Sequence, residues 1–270
     1  MKTENAASVC YIMKNAALKA GDALMDHSGQ HEACRQLIDE LLPGWFAGGN
    51  GDAAVWADRL AMPAIARQNK DGYTLKDFVK GVERYAGPCF AVSSAGGAEA
   101  FERGLFDVCV SIAYLDGGEL QAAVVYDPIH VELFHAVDGL GVYLNGKSVK
   151  PARTSSLSDA IVSLDHSMLR GGGKRTANLL SMAGQVRVAP ACGLELCYAA
   201  CGRVDATVRR GEAFFDYAAG LLVAKEAGAV IMNLDGSEWT AFTEYGERRD
   251  MVVACPGVKE ELLGIMETRQ

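Results

Sequence analysis

The chain has 270 residues, enough for one large domain or two modest ones with a substantial hydrophobic core. Half of the residues are hydrophobic and 22% are charged, and the formal net charge of −8 argues against nucleic-acid binding, which requires a basic face. No apolar run approaches the ~20 residues of a membrane span, and the N-terminal residues lack an apolar signal core.

Two amphipathic helices are predicted at the start of the chain. Apolar residues repeat with helical period over residues 8–25 and again over residues 34–42, where Pro43-Gly44 ends the pattern. The periodicity weakens over residues 45–88, which begin with a glycine-rich loop, and no clear element is predicted there.

A change to a period of two predicts an antiparallel meander over residues 108–149. Its first two strands flank an Asp116-Gly117-Gly118 turn, and its last strands flank an Asn145-Gly146 turn of the kind favoured in hairpins.

Strands and helices alternate after Pro151. Strands are predicted at residues 160–166, 185–190, 204–210, 229–234 and 251–255, and helices at residues 174–184, 193–202, 216–227 and 258–267. This order predicts a layered α/β (α+β) sandwich. Residues 1–150 are expected to form an N-terminal lobe and residues 151–270 a C-terminal α/β lobe of one compact fold.

The eight cysteines are scattered through apolar segments, which favours reduced thiols in a cytoplasmic protein over a disulfide framework. Cys192, Cys197 and Cys201 lack the Cys-x₂-Cys spacing of a zinc site and lie on the apolar stripe of a predicted helix, so we interpret them as buried. His27 and His31 have the spacing of helical metal ligands, but the Ser-Gly between them indicates a polar loop.

Three stretches resemble, in order, the inositol monophosphatase family of magnesium-dependent sugar-phosphate phosphatases. They are the meander, LCYAACGRVDATV and FFDYAAGLLVAKEAGAVIMNLDG. The last is similar to the family's Trp-Asp-x-x-Ala-Gly signature, with Phe215 for the tryptophan and Asp216 for a metal ligand. The resemblance covers residues 108–236 and implies the α-β-α-β-α sandwich of the inositol monophosphatase and fructose-1,6-bisphosphatase type, Mg²⁺ as cofactor and a homodimer.

The same resemblance bears on Asp127-Pro128-Ile129, which on its own could begin a metal site. The family's metal-binding Asp-Pro-Ile precedes the meander, whereas this tripeptide lies inside it. We therefore interpret it as a turn, since proline ends a strand.

Most of the family's other acidic ligands have no counterpart at the aligned positions. Ser93 and Gly96 stand where the family has two ligand aspartates, and residues 47–50, Ala-Gly-Gly-Asn, stand where it has Gly-Glu-Glu. Asp216 is then the one first-shell carboxylate that can be placed. Because Mg²⁺ requires near-octahedral oxygen coordination, we expect its binding to be weak or lost.

The segment that replaces those ligands is a candidate anion site. Its residues precede a predicted helix, whose positive end attracts anions; they are Ser93, Ser94, Gly96, Gly97 and Ala98. A flexible loop without a ligand is the alternative. Glu99 and Glu102, on one face of that helix, are interpreted as solvent-facing rather than as a rebuilt metal site.

Arg209 and Arg210 are candidates for the edge of the substrate site, because the resemblance places them near sugar-contacting positions. The alternative is that both arginines are solvated.

Two functions are therefore carried forward. The first is a family member with absent or very weak phosphatase activity that binds a phosphate or sugar phosphate. The second is an active Mg²⁺-dependent phosphomonoesterase acting on inositol phosphate or a related sugar or nucleotide phosphate. Its ligands would come from residues 45–88, which contain Asp52, Asp58, Asp71, Asp77 and Glu83. The expected partners are a small anionic or phosphorylated ligand and a second copy of the chain, and neither nucleic acid nor membrane.

Overall fold

The computed structural model describes residues 2–26, 54–57, 89–171, 173–239 and 248–267. Its helices are α1 (Lys2–Asp26), α2 (Ala98–Phe101), α3 (His166–Gly171), α4 (Gly173–Met182), α5 (Cys192–Ala200), α6 (Phe214–Ala227) and α7 (Lys259–Met266). Its strands are β1 (Ala54–Ala57), β2 (Cys89–Gly96), β3 (Cys109–Asp116), β4 (Glu119–Asp127), β5 (Glu132–Val137), β6 (Gly141–Leu144), β7 (Lys147–Ser148), β8 (Ile161–Leu164), β9 (Gln185–Val188), β10 (Ala206–Glu212), β11 (Val230–Met232) and β12 (Arg249–Ala254).

The first sheet contains β1 to β7 in chain order. β1 pairs with β2 in parallel, and every later neighbour is antiparallel. Asn145 and Gly146 have φ values of 48° and 78°, as a primed two-residue turn requires. The predicted meander is therefore confirmed, and β2 extends it on one side.

The second sheet has the strand order β11-β12-β10-β8-β9. Strands β8, β9 and β10 are parallel, and β12 is antiparallel to both of its neighbours. Alternation along the strands gives the sheet two apolar faces, with Ile161 and Val253 on one and Val162 and Val252 on the other. A sheet that is apolar on both faces has to be covered by helices on both sides.

Helices fill the three positions that the two sheets leave open. α1 packs its small apolar residues against the outer face of the first sheet, where Met13 and Ala17 meet Ile112 and Val124. α5 and α6 lie between the sheets, while α4 and α7 cover the far face of the second sheet. The predicted α-β-α-β-α sandwich is confirmed.

Glycine allows the two central helices to approach closely. A Cβ at Gly220 of α6 would lie 2.7 Å from Leu196 Cβ and 2.8 Å from the Gly193 carbonyl oxygen of α5. A Cβ at Gly193 would in turn lie 2.5 Å from the Ser111 hydroxyl oxygen on β3. The first turns of both helices are thereby held next to the first sheet.

The Asp127-Pro128-Ile129 tripeptide is a turn, as predicted. The buried carboxylate of Asp127 accepts hydrogen bonds from the backbone N–H groups of Ile129 (2.9 Å) and His130 (3.1 Å). It also lies 2.7 Å from Nδ1 of His130. Its oxygens are thus used to close the turn between β4 and β5.

The predicted burial of the cysteines can be compared with the structure, whereas several other predictions concern residues that the structure does not describe. Cys192 and Cys197 are buried and Cys201 is half-buried, all as free thiols. β1 was not predicted. The predicted helix over residues 34–42, His27, His31 and the five acidic residues of the 45–88 stretch are not described.

The predicted division at residue 150 falls between the two sheets, and it stays a prediction. The central hydrophobic core draws Phe134 and Val142 from one side of that boundary and Leu222 and Val253 from the other. Among the described helices, none is long and apolar enough to cross a membrane.

Candidate active site

A pocket of about 320 Å³ opens where β2 and β3 meet the first turns of α5 and α6. Its walls include Ser93, Cys109, Cys192, Glu212 and Asp216, together with Arg248, which directly precedes β12. It therefore collects residues that are far apart in the sequence and come from both sheets and the central helices.

Asp216 and Ser93 meet inside this pocket. The Ser93 hydroxyl, 2% exposed, donates a hydrogen bond of 2.9 Å to Oδ1 of Asp216. The two candidates are 123 positions apart in the chain. Ser93 stands where the resemblance expects the first of two ligand aspartates, so a neutral hydroxyl donor replaces a carboxylate beside Asp216.

The segment from Ser93 to Gly96 is a strand, which corrects the expectation of a loop. Ser93 pairs with Ser111 and Gly96 with Cys109, with an irregularity between these two pairs. Its backbone is therefore paired with β3 at Ser93 and at Gly96.

Glycine is required where this strand ends. Gly97 has φ 87°, and a Cβ there would overlap the Asp107 carbonyl oxygen. Ala98 begins α2, which has four residues and offers little helix dipole. Ser94 lies within β2. Of the five predicted anion-binding residues, Ser93, Gly96 and Gly97 line the pocket.

Arg209 is buried behind the pocket wall, which corrects both interpretations made from the sequence. Its side chain is 1% exposed and does not line the pocket. Nε donates to Glu212 Oε1 at 2.9 Å, and Nη1 and Nη2 donate to the carbonyl oxygens of Ala189 (2.8 Å) and Pro190 (3.3 Å). It is neither solvated nor at a substrate edge, because its donors support the segment that leads into α5.

Arg210 points away from the pocket. Its guanidinium lies against Gly171 of α3, and it is absent from the pocket wall. Neighbouring residues of a strand face opposite sides, so the two arginines could not both reach one ligand. The structure therefore does not bring the two predicted arginines together at the pocket, and their substrate-edge role stays a prediction.

Glu212 enters the pocket through a β-bulge. The register of β10 against β12 shifts between Arg209 and Glu212, where Gly211 has φ 68°. Bulges redirect side chains and are common beside active sites. Burial raises the pKa of Glu212, while the charge of Arg209 opposes that rise.

The pocket thiols are protonated. Burial raises the pKa of Cys109 to about 12 and that of Cys192 well above its ordinary value. Thiols are weak nucleophiles and poor metal ligands in this form. The cysteines therefore act as small, neutral parts of the pocket floor.

Two helix N-termini face the pocket. No side chain makes a capping hydrogen bond at Ala191, before α5, or at Ala213, before α6. The first turns of both helices, at Cys192 and Asp216, line the cavity. Helix N-termini carry partial positive charge and attract anions, which offsets part of the negative charge of the acidic wall.

The described carboxylates do not make a two-magnesium cage. Within the described ranges, no group of three or more His, Cys, Asp or Glu side chains is arranged to hold a metal ion. Asp216 and Glu212 line the pocket, but Asp216 accepts from Ser93 and Glu212 from Arg209. Mg²⁺ prefers six oxygen ligands and retains some as water, so these two carboxylates by themselves are a poor fit for a metal pair.

Sequence reasoning missed Glu212 and Arg248. The glycine at 211, inside an otherwise regular strand pattern, was the available signal for a bulge. Arg248 had no local signal, because its place depends on the pairing of β12 with β10.

The five-layered sandwich is a fold shared with solved inositol monophosphatases. The solved inositol monophosphatase from Anabaena (Nostoc) sp. PCC 7120 superposes with a TM-score of 0.77 at 23% identity, covering 97% of this chain and 96% of that one. That likeness concerns the fold.

Sequence comparison establishes the family. The model of the inositol monophosphatase family matches residues 97–268, so the chain belongs to the inositol monophosphatase family. It is 27% identical to the Nus factor SuhB of Xylella fastidiosa over 251 residues, 90% of this chain and 88% of that protein. It is 35% identical to inositol monophosphatase 1 of Solanum lycopersicum over 159 residues, 56% of this chain and 58% of that protein.

Proposed function

We propose that this family member binds a phosphate or a sugar phosphate in the Asp216 pocket and has absent or very weak phosphatase activity. The contact between Ser93 and Asp216 carries the proposal. It supplies a neutral hydrogen-bond donor at the position where, by resemblance, a metal-dependent relative has a second carboxylate.

The loss of metal ligands acts on hydrolysis more than on binding. Metal ions that activate water and neutralise the transferring phosphoryl group supply transition-state stabilisation, and each ~1.4 kcal/mol lost slows the reaction tenfold. Ground-state binding of an anion needs only complementary donors. Removing carboxylates from the pocket lowers the repulsion that a metal would otherwise have to offset.

The remaining pocket supports anion binding without a metal. It combines two helix N-termini, the Ser93 hydroxyl and the exposed guanidinium of Arg248. Of its two acids, Glu212 forms an ion pair with Arg209 at 2.8 Å.

We further propose that the protein is a cytoplasmic homodimer. The free thiols support the cytoplasmic location, and the family resemblance supports the homodimer.

The second candidate is an active Mg²⁺-dependent phosphomonoesterase on inositol phosphate or a related sugar or nucleotide phosphate. Asp216 favours it, since this carboxylate lies in the first turn of α6 and lines the pocket. The additional ligands would have to come from residues outside the described ranges.

Calorimetry and a phosphate-release assay distinguish the two candidates. We expect inorganic phosphate and myo-inositol 1-phosphate to bind with and without Mg²⁺, and we expect release of phosphate to stay at background. Mg²⁺-dependent turnover that Asp216→Asn abolishes, and that the exposed control Asp159→Asn retains, would establish the active enzyme instead. Absence of binding heat in both conditions would reject the anion site.

A further inference from the structure

We propose that Arg248 recognises the phosphate group of the pocket's ligand through its guanidinium fork. The proposal rests on the proposed function and names the residue that gives the pocket its preference for a phosphorylated ligand. Sequence patterns gave no indication of this residue, and its role follows from its place beside the bulge of β10.

Arg248 is held at the pocket by one short hydrogen bond. Its Nη1 donates to the carbonyl oxygen of Gly211 at 2.6 Å, and its side chain lines the same cavity as Ser93 and Asp216. Within the part of the chain that the structure describes, this is its one hydrogen bond. A guanidinium has five N–H donors, so the edge formed by Nε and Nη2 is left for a ligand.

The bulge that anchors Arg248 is itself fixed by β12. Gly211 donates its N–H to Asp250 Oδ1 at 2.8 Å and accepts from Arg248 with its carbonyl oxygen. Asp250 of β12 and Arg248, which directly precedes that strand, therefore hold both polar groups of the bulged glycine. Because the anchoring carbonyl is immobilised, the arginine loses less conformational freedom when it binds an anion.

Among the charged side chains of the pocket, Arg248 is the one available to bind an anion. The acids on the pocket wall are already engaged, since Glu212 pairs with Arg209 and Asp216 accepts from Ser93. Arg248 has no ion pair with any carboxylate among the described residues, although it lowers the pKa of nearby Glu212 through its charge. Its charge is thus available to an incoming ligand.

Arginine suits a phosphate better than lysine would. The planar fork matches two phosphate oxygens and forms paired charge-assisted hydrogen bonds, whereas an ammonium acts as a point charge. The opposing helix N-termini would contact the same group from the pocket floor.

Titration calorimetry on the full chain tests the assignment with three probes: inorganic phosphate, myo-inositol 1-phosphate and uncharged myo-inositol. We expect Arg248→Ala to weaken binding of both phosphates by roughly tenfold to a hundredfold, the range for a hydrogen bond to a charged group. Arg248→Lys keeps the charge without the fork and is expected to weaken phosphate binding by at least severalfold. Any affinity for myo-inositol should be unchanged in both variants.

Arg210→Ala is the matched control, because it removes the same charge two residues from Glu212 but outside the pocket. It should bind phosphate as the wild type does. If thermal unfolding shows that the alanine variant is destabilised, the lysine variant provides the test instead. Lysine retains a donor for the Gly211 carbonyl and is therefore expected to preserve the fold.

The failure of this inference is distinct from failure of the proposed function. Wild-type affinity for phosphate in either Arg248 variant overturns the role of Arg248 and leaves the phosphate pocket standing. An equal loss of affinity in Arg210→Ala also overturns it, because a general charge effect would then explain the result. A wild-type protein that binds no phosphate rejects both.

Discussion

Arg209 illustrates how far a single side chain's role depends on its surroundings. Among the described residues it is the largest fully buried side chain, and its guanidinium joins Glu212 to the carbonyl groups of Ala189 and Pro190. A buried charge is tolerated only when it is paired and hydrogen-bonded. The arginine therefore holds the entrance to α5 and the acidic wall of the pocket in one arrangement.

Arg209→Ala should reduce the free energy of unfolding by about 3–5 kcal/mol, because it leaves the buried Glu212 carboxylate without its partner. Urea unfolding monitored by circular dichroism measures the change. Arg210→Ala, the adjacent substitution outside this network, should change the free energy by no more than about 0.5 kcal/mol. Equal effects of the two substitutions would contradict the assigned role of Arg209.

Single residues were predictable where a local motif specified them. Asp216 lies in a recognisable signature, and the structure places it in the pocket. Arg209 was expected at the substrate edge and Glu212 was not identified, because the bulge at Gly211 changes which side chains of β10 face the cavity. The sequence of a strand does not by itself indicate where a bulge interrupts the alternation of its side chains between the two faces of the sheet.

The contact between α5 and α6 determines the geometry of the pocket at the level of elements. Gly220 lies against Leu196 and the Gly193 carbonyl, so the axes of the two helices approach closely at this contact. Both N-termini reach the cavity as a result. Close packing leaves little space for an added methyl group.

Gly220→Ala should destabilise the fold by about 1–3 kcal/mol, since the added methyl group meets Leu196 Cβ at 2.7 Å. Gly264→Ala in α7 is the contrasting substitution, because a Cβ there meets no atom of another described element within 4 Å. It should stabilise the protein by about 0.5–1 kcal/mol through helix propensity. Thermal and urea unfolding of both variants measure whether the two changes in the free energy of unfolding have opposite signs. A stabilising effect of Gly220→Ala would contradict the close contact between α5 and α6.

Elements with a strong period were predicted well, while β2 was not. Its end, Ser-Ser-Ala-Gly, has the composition of a loop, yet pairing with β3 makes it a strand. β1 was missed, and it joins β2 by parallel pairing with a partner more than thirty residues away. β-structure depends on such non-local pairing more than helices depend on distant contacts.

The molecule as a whole is organised around a central helical layer that carries a buried acid. Glu195 of α5 is 0% exposed, and Oε1 lies 3.2 Å from Nη2 of Arg187 on β9. The same Nη2 lies 3.2 Å from Oδ1 of Asp107, which precedes β3. Arg187 thus connects the second sheet, the central layer and the segment that leads into the first sheet.

Stability should depend on pH through Glu195. Burial raises its pKa above the ordinary value of about 4.5, while the charges of Arg187 and Arg209 oppose that rise and that of Asp107 adds to it. The folded protein therefore holds this proton more tightly than the unfolded chain. The stabilisation is complete below about pH 4.5 and is lost as the pH rises through the raised value.

Glu195→Gln removes this dependence. The free energy of unfolding of the wild type minus that of the variant should fall as pH rises above about 4.5, by at most ~1.4 kcal/mol per pH unit. Urea unfolding at several pH values between 4 and 8 measures it, with the exposed Glu260→Gln as control. A constant difference across this range would show that Glu195 does not titrate with the folding equilibrium.

Local periodicity and turn chemistry were sufficient to predict the meander, most of the helices and the layered architecture, because these features depend on residues close together in the chain. Asp216 was identified from the family resemblance of a short signature. The pocket depends on the assembled fold. Ser93 touches Asp216, Arg248 reaches Gly211 and Arg209 is enclosed only when both sheets and the central helices are in place. These contacts join residues between 20 and 123 positions apart and arise from packing, so no short stretch of sequence contains that information.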